Sequence, residues 1–449
     1  MHAPFSQNIS CKQRLFEKGA FPVIVCKFGG TSLCDAARFF RAVEILRTDA
    51  RRRVAVPSAP GRRFDGDEKI TDLLLACRAE GAPFAPIRER FRQIASEAGQ
   101  PGLLDAPLAE IERELPARSM AWALSRGEYL SGLLLAALLG WKFLDATQGV
   151  FFAADGKCDM KKTRSALRAA LPETGGLVLP GFYGASPDGS VHTFPRGGSD
   201  ITGAVAAAAL DAALYENWTD VPGIFSADPR VVPEATPIAS LDYRELRELS
   251  ALGACVLQEE AVLPVREAGI PIAVRSTRQP QEPGTLVHPL SAPGGSPAVG
   301  VAARRGFLPV MVEKTLLRAD PAFARKALET LEAFGLRPEC MPCGVDTLCL
   351  VVPQAALAPQ KEAVCRALLD ALDADSVEVG APLALAGVVG GAMRGRSGVA
   401  ARVLTALADA GLRVRLLDYG AGGRTLLFGV NDGDCDDAVR AVFRGMFGG

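Results

Sequence analysis

The chain has 449 residues, 49% of them hydrophobic, with a formal net charge of -1 and a pI near 6.4. A balance so close to neutral argues against a dedicated nucleic-acid or membrane-surface protein, and no apolar run reaches the ~18 residues a membrane-spanning helix needs. The N-terminal stretch MHAPFSQNISCKQRLFEKGA lacks the apolar centre of a signal peptide, so a soluble cytoplasmic protein of about three domains is expected, binding neither nucleic acid nor membrane.

From Pro22, PVIVCKFGG reads as an apolar strand ending in glycines, followed by a helical pattern in DAARFFRAVEIL. RVAVPSAPG is a second short strand closing on small residues; ITDLLLACRAEG and SRGEYLSGLLLAALLGW are helical. Strand and turn signals around KFLDA and LVLPGFYG precede FPRGGSDITGAVAAAAL, where a cation, glycines, a serine and an acid stand directly before an alanine-rich helix. LYENWTDVPGIF comes next. LDYRELRELSALG and CVLQEEAVLPVREAG read as two helices and IPIAVRST as a strand. Strands alternating with helices predict an α/β domain over residues 22–290, with a mainly parallel central sheet flanked by helices. HPLSAPGGSPAVG has the composition of a linker.

Beyond it, the order strand–helix–strand–strand–helix occurs twice. FLPVMVEK, PAFARKALETLEAFG, RPECMPCG, TLCLVV and APQKEAVCRALLDAL form the first set; LALAGVVGG, GVAARVLTALADAG, LRVRLLDYG, RTLLFGV and DCDDAVRAVFRGMF form the second. The offset is about 76 residues, from Gly335 to Gly411. An internal repeat of that size predicts two small α+β units, residues 305–378 and 379–449.

The three histidines, His2, His192 and His288, make a histidine triad or a multi-histidine metal site an unsuitable reading. Lysines number eleven against 39 arginines, with none between Lys162 and Lys314. The chemistry must therefore run on carboxylates, hydroxyls, backbone amides and a few cations, and no protein-borne metal site is expected. The eleven cysteines are scattered, several inside apolar runs, and read as reduced thiols. The one C-x-x-C, Cys340 and Cys343, lacks the second pair or the histidines that zinc takes.

Lys27 ends a strand and precedes Phe28-Gly29-Gly30-Thr31-Ser32. Glycine amides, hydroxyls and a point charge suit an anion such as phosphate, at the strand end where ligands of open α/β sheets bind. The spacing is not that of a P-loop, and a plain tight turn is the alternative. Ser58 in SAPG and Thr71 in KITDLL follow the second strand. Glu128 interrupts an apolar helix beside the small residues Gly127 and Ser131, which suits a carboxylate facing a cleft. WTDVPGIF and ADPR, Trp218–Phe225 and Ala227–Arg230, set two acids, a threonine, an aromatic and an arginine on turn-forming backbone, fit for a nucleotide or simply a well-made loop.

In this order KFGGTS, SAPG, SRGEYLS, FPRGGSD, WTDVPGIFSADPR and RELRELSALGACVL resemble the aspartate kinases, over nearly the whole chain from about Val23. The resemblance implies an amino-acid-kinase fold followed by two ferredoxin-like ACT domains. It implies transfer of the ATP γ-phosphoryl group to the side-chain carboxylate of L-aspartate with Mg2+, the first step of lysine, threonine and methionine biosynthesis. Lys27, Gly29 and Gly30 resemble the phosphate-binding lysine and glycines. Ser58, Thr71 and Glu128 resemble the aspartate site, with Glu128 on the substrate ammonium, and Arg196 resembles the residue gripping the α-carboxylate. Ser199 and Asp200 match the serine and the aspartate that organises phosphoryl transfer, Ser199 capping the helix or touching substrate and Asp200 pairing with Lys27. Thr219, Asp220, Phe225, Asp228, Arg230, Cys255 and Val256 fall in the nucleotide-binding segments. The chemistry agrees: an aspartate side chain is already ionised at neutral pH, with a pKa near 4, so the enzyme needs positioning and charge neutralisation rather than a general base.

Cys255 departs from the pattern, since many aspartate kinases carry a lysine there. The expected substitutes are Arg230 and, mainly, the amides of Gly253, Ala254 and Cys255 at a helix N-terminus. Two other readings compete. A kinase of another small carboxylate, such as acetylglutamate, fits the two ACT repeats and Glu128 poorly. An amino-acid sensor with a decayed kinase domain is favoured by the missing lysine and opposed by Lys27, Arg196 and Asp200. ACT repeats imply a homodimer or higher homo-oligomer and an amino-acid effector, lysine and/or threonine. Glu339, Met341, Gly344 and Asp346 are candidate contacts, with AMRGRSG the equivalent loop of the second repeat. A fused homoserine dehydrogenase is not expected.

Overall fold

In a computed structural model, the residues described are 22–195, 197–254, 257, 259–289, 298–420 and 422–448. Arg196, Cys255 and Val256, three of the expected site residues, lie outside them. The described residues form two units. The first takes in the described residues within Met1–Ile224, Ala239–Tyr243 and Val256–Ser291, the second those within Phe225–Ile238, Arg244–Cys255 and Ala292–Gly449.

The first unit is built on eight strands: β1 (Ile24–Phe28), β2 (Arg52–Pro57), β3 (Lys142–Phe143), β4 (Leu177–Val178), β7 (Leu214–Thr219), β8 (Ser240–Asp242), β9 (Ile272–Ser276) and β10 (Thr285–His288). They lie in the order β3-β4-β2-β1-β7-β9-β10-β8. Every neighbouring pair is parallel except β9 and β10. β5 (Tyr183–Ala185) and β6 (Val191–Thr193) form a separate antiparallel ribbon. The helices are α1 (Ala36–Arg47), α2 (Ile70–Glu80), α3 (Ala85–Glu97), α4 (Asp105–Glu114), α5 (Met120–Leu139), α6 (Ala146–Gly149), α7 (Met160–Ala170), α8 (Gly198–Ala209), α9 (Tyr243–Ala251, in the second unit from Arg244) and α10 (Glu259–Glu267). No helix among the described residues is long and apolar enough to cross a membrane.

Alternation along β1 divides the sheet's two faces. Ile24, Cys26 and Phe28 enter a core shared with α1, α3 and α5. On that face Glu216 is bound by Arg52 (2.8 Å), Arg275 (3.2 Å) and the Trp218 indole (3.0 Å), with both guanidiniums over the Trp218 ring. A buried acid so completely paired joins three strands, β2, β7 and β9, and is not itself left as an unpaired charge. Lys27 faces the other side, toward α8, whose alanines are buried. The small side chains bring α8 close: a Cβ on Gly203 would fall 2.7 Å from the Tyr215 ring. The expected strand in LVLPGFYG is broken. β4 stops at Val178, and Phe182 has φ 79°, a left-handed backbone that costs an L-residue about 1–2 kcal/mol.

The second unit carries a sheet ordered β12-β11-β14-β16-β15, with β13 also on β11. Its members are β11 (Gly300–Glu313), β12 (Thr347–Pro353), β13 (Ser376–Val379), β14 (Leu383–Val389), β15 (Leu416–Tyr419) and β16 (Thr425–Asn431). α11 (Phe323–Ala333), the short α12 (Gln354–Leu357) and α13 (Lys361–Leu372) cover one end, and α14 (Val399–Asp409) and α15 (Cys435–Phe447) the other. Both repeats are present, but they share a strand. β11 starts at Gly300, ahead of the expected start at 305, and pairs β14 over Gly300–Arg304 before a bulge at Gly306, φ 82°. Phe307–Glu313 then pair with β12, and Val310–Glu313 also with β13. The second repeat thus takes one strand from chain preceding the first. The strand expected in RPECMPCG is reduced to isolated pairings of Cys340 with Val351 and Cys343 with Leu348.

α9 is held in this unit by its carboxylates. Glu245 accepts the Gly391 N–H at 2.6 Å and Glu248 the Thr425 hydroxyl at 3.0 Å. Past its end, the N–H groups of Gly253 and Ala254 bond back to the carbonyls of Ser250 and Leu249, 3.0 Å each, with Gly253 at φ 97°. This is a helix C-terminus closed by a left-handed glycine. It overturns the expectation that the Gly253 and Ala254 amides stand free at a helix N-terminus to receive phosphate.

Candidate active site

A cavity of about 550 Å³ opens at the carboxyl ends of β1, β2 and β7. Lys27 sits at the end of β1, directly across from Asn217 of β7. Asp200, in the first turn of α8, meets Lys27 Nζ at 2.5 Å. Asn217 joins them, donating from Nδ2 to Asp200 Oδ1 at 3.0 Å and accepting from Lys27 Nζ at 3.5 Å. The Tyr215 hydroxyl donates to the Asp200 carbonyl at 3.1 Å. The expected Lys27–Asp200 pair is therefore formed, and Asn217, which carries no local motif, completes it.

Two glycine loops form the floor. The Gly29 N–H bonds to the Trp218 carbonyl at 2.9 Å, and the Gly61 N–H to the Gly30 carbonyl at 2.8 Å. A Cβ on Gly30 would lie 2.7 Å from the Ala59 carbonyl, so the contact requires glycine. Arg90 of α3, buried beneath, donates to the carbonyls of Gly61 and Glu68 and pairs with Asp67 at 3.3 Å, pinning the loop that presents Ser58. Ser58 and Thr71 both line the cavity, Thr71 from the first turn of α2.

Glu128 reaches the same cavity from α5, which approaches closely because a Cβ on Gly127 would fall 2.6 Å from that of Ala59. Its side chain is 5% exposed, and Oε2 has no hydrogen-bond partner among the described residues. Burial pushes the carboxyl up to about 8, against a smaller downward pull from the Ala59 amide. The opposite wall is Phe182, Phe194 and the start of α8. Gly197 caps α8 with φ 83°, and Ser199 packs against Gly181, so Ser199 lines the cavity and does not cap the helix. A helix N-terminus opening on a cavity is a ready anion site.

The nucleotide-binding expectations divide. Thr219 lines the cavity, and its carbonyl accepts from Thr277, whose hydroxyl meets Ser32 at 3.0 Å. Asp220 lies 3.8 Å from Arg278. Phe225, Asp228 and Arg230 belong to the second unit, where Phe225 packs on the hydrophobic cluster containing Val232 and Phe428. Arg230 is held by Asp228 at 2.7 Å. Residues 22–276 match the amino acid kinase family and residues 387–444 an ACT domain. The chain is 35% identical to aspartokinase 3 of Bacillus subtilis, over 95% of this chain and 99% of that one. It belongs to the aspartokinase family.

Solved aspartokinases have the same fold. The aspartate kinase of Clostridium acetobutylicum superposes with a TM-score of 0.88 at 37% identity, covering 94% of this chain and all of that one (100%). Aspartokinase III of Escherichia coli matches at 26% identity in two states. The complex with aspartate and ADP gives a TM-score of 0.75 over 95% of this chain and 100% of that one; the complex with lysine and aspartate gives 0.73 over 95% and 99%.

Of the effector candidates in this aspartokinase, Glu339 lines a cavity of about 330 Å³ in the second unit, with its carboxylate 3.3 Å from Arg304. Gly344 and Asp346 are engaged elsewhere: the Gly344 N–H bonds within its turn to the Thr347 carbonyl at 2.8 Å, and Asp346 accepts the N–H of Leu316, just past β11, at 2.9 Å. Met341 packs on the core of the first repeat.

Proposed function

We propose that this member of the aspartokinase family transfers the γ-phosphoryl group of ATP to the side-chain carboxylate of L-aspartate, giving 4-phospho-L-aspartate. The carrying observation is Glu128: a buried carboxyl oxygen, unpartnered among the described residues, in the same cavity as the Lys27–Asp200 pair. A group held so is satisfied by a ligand bearing a free ammonium, which aspartate has and an N-acetylated acid lacks. Bound aspartate takes its ammonium at Glu128, its α-carboxylate at Arg196 and its polar contacts at Ser58, Thr71 and Ser199. Lys27 and the Gly30 amide meet the phosphates, beside Gly29, whose own N–H is taken by the Trp218 carbonyl, with Thr219 and Asp220 on the nucleotide.

The aspartate carboxylate attacks as the anion it already is, so no base is required. Lys27 neutralises charge on the transferring group, and Asp200 holds Lys27 in place. Among the described residues no three His, Cys, Asp or Glu cluster to cage a metal, and Asp200 Oδ2 takes no hydrogen bond from a described residue. That donor set fits Mg2+, which is usually held by one or two carboxylates together with substrate phosphates. Bound beside Asp200, it would supply neutralisation of the phosphate oxygens.

The ACT repeats make feedback control by an amino acid the companion reading, with lysine favoured by the E. coli complex and Glu339 its best-placed contact. Edge strand β15 exposes Leu417 and Tyr419, which supports pairing of two copies through this sheet. The nine described cysteines are all free, which fits a reducing cytoplasm. The test is aspartate-dependent ADP release with the acyl phosphate trapped by hydroxylamine. Turnover of acetylglutamate instead, or amino-acid binding by calorimetry with no turnover, would reject the reading.

A further inference from the structure

We infer that Asn217 is a positioning residue for phosphoryl transfer: its carboxamide fixes Lys27 and Asp200 relative to one another. The inference rests on the proposed role of that pair. Asn217 is 2% exposed, and a buried amide requires partners. The two its carboxamide has among the described residues are that pair, Lys27 through Oδ1 and Asp200 through Nδ2. Its orientation is not arbitrary. An ammonium can only donate and a carboxylate can only accept, so the amide oxygen must face Lys27 and the amide nitrogen must face Asp200. The parallel register of β1 and β7, which sets Lys27 opposite Asn217, makes this reach possible across 190 positions of chain.

Two consequences follow for the site. Lys27 has three N–H donors. One is taken by Asp200 and one by Asn217, which leaves the third as the donor for the phosphoryl group. Both Lys27 and Asn217 bind the same oxygen of Asp200, Oδ1, while Tyr215, two residues earlier on β7, holds the Asp200 carbonyl. One strand thus grips Asp200 at backbone and side chain. Leucine at 217 fills the volume and holds neither partner. Aspartate at 217 keeps the shape, but turns the donor facing Asp200 into a second negative charge.

The test is a double-mutant cycle on the full chain. Asn217→Leu and Asn217→Asp are each made alone and with Asp200→Asn, and kcat, KM for aspartate and calorimetric affinity for Mg-ADP are measured. Each single Asn217 variant is expected to lower kcat about 10- to 100-fold with KM for aspartate within about threefold. In the Asp200→Asn background the same change should cost less than about threefold, because the partner it positions is gone. The ADP affinities should show the same non-additivity. Equal fold-losses in both backgrounds would make Asn217 a structural residue and overturn the inference. If Asn217→Leu does not fold, the near-isosteric Asn217→Asp decides alone. Wild-type protein that binds Mg-ADP without turning over aspartate would defeat the functional reading, and the ADP cycle would still judge Asn217.

Discussion

Gly30 and Gly61 meet backbone to backbone. The Gly61 N–H donates to the Gly30 carbonyl at 2.8 Å, and a Cβ on Gly61 would fall 2.7 Å from both the Gly30 carbonyl carbon and the Thr31 nitrogen. The contact locks the glycine loop after β1 to the loop after β2, the two loops proposed to hold phosphate and aspartate. Neither glycine has a positive φ, so the requirement is space and not conformation. Gly61→Ala must push the loops apart by a few tenths of an ångström or more. Misplacement on that scale costs up to about 100-fold in rate, so kcat/KM should fall for both ATP and aspartate. Steady-state kinetics with each substrate varied checks it; an effect on one substrate alone would show that the loops move independently.

Glu128 gives the site a pH signature. Its carboxyl titrates near 8 in the folded chain against an ordinary value of 4.5. Between those values the folded state holds a proton that the unfolded chain has released, so stability falls as pH rises from about 4.5 to about 8. Glu128→Gln removes that slope, and the variant should gain melting temperature relative to wild type as pH approaches 8. The proposed docking of the aspartate ammonium at Glu128 has the opposite need, since an ammonium favours the ionised carboxylate. At pH 7 binding should therefore release a proton, seen as a buffer-dependent heat in calorimetry and absent in Glu128→Gln.

Asp200 separates rate from binding. It touches Lys27 at 2.5 Å and is tied to β7 through Asn217. Asp200→Asn should lower kcat by about 10²- to 10³-fold, the range for a lost preorganised electrostatic group, while KM for aspartate stays within a few-fold. Equal changes in both constants would reduce Asp200 to a residue that starts a helix.

The parts of this site that were legible in sequence are those carried by contiguous residues. Lys27 with its glycines, SAPG, Glu128 and Asp200 each stand in a local pattern whose chemistry is visible, and the structure brings them to one cavity. Asn217 and Arg90 were not legible, because their meaning lies in register and tertiary approach. Asn217 is one polar residue in a strand until β1 is laid beside β7, and Arg90 is one of several charges in α3 until its guanidinium meets the Gly61 carbonyl. The start of β11 was hidden for a different reason: Ala302–Gly306 is small and basic, with no strong alternation to mark a strand. The helix N-terminus expected at Gly253 failed because glycine followed by alanine can open a helix or close one. Only the preceding α9, reaching to Ala251, decides which.

Gly253 itself is open to test. Its φ of 97° lies where an L-residue is strained, and a Cβ there would fall 2.8 Å from Arg304 Cγ, the flexible stem of a side chain that can shift. The backbone term should therefore dominate. Gly253→Ala is expected to cost about 1–2 kcal/mol, and Gly253→Asn, whose side chain tolerates left-handed backbone better, less than that. Thermal unfolding of the two variants against wild type gives the comparison. If the cost is conformational, Asn falls between Gly and Ala. If Arg304 crowding governs instead, the larger Asn is the worse of the two.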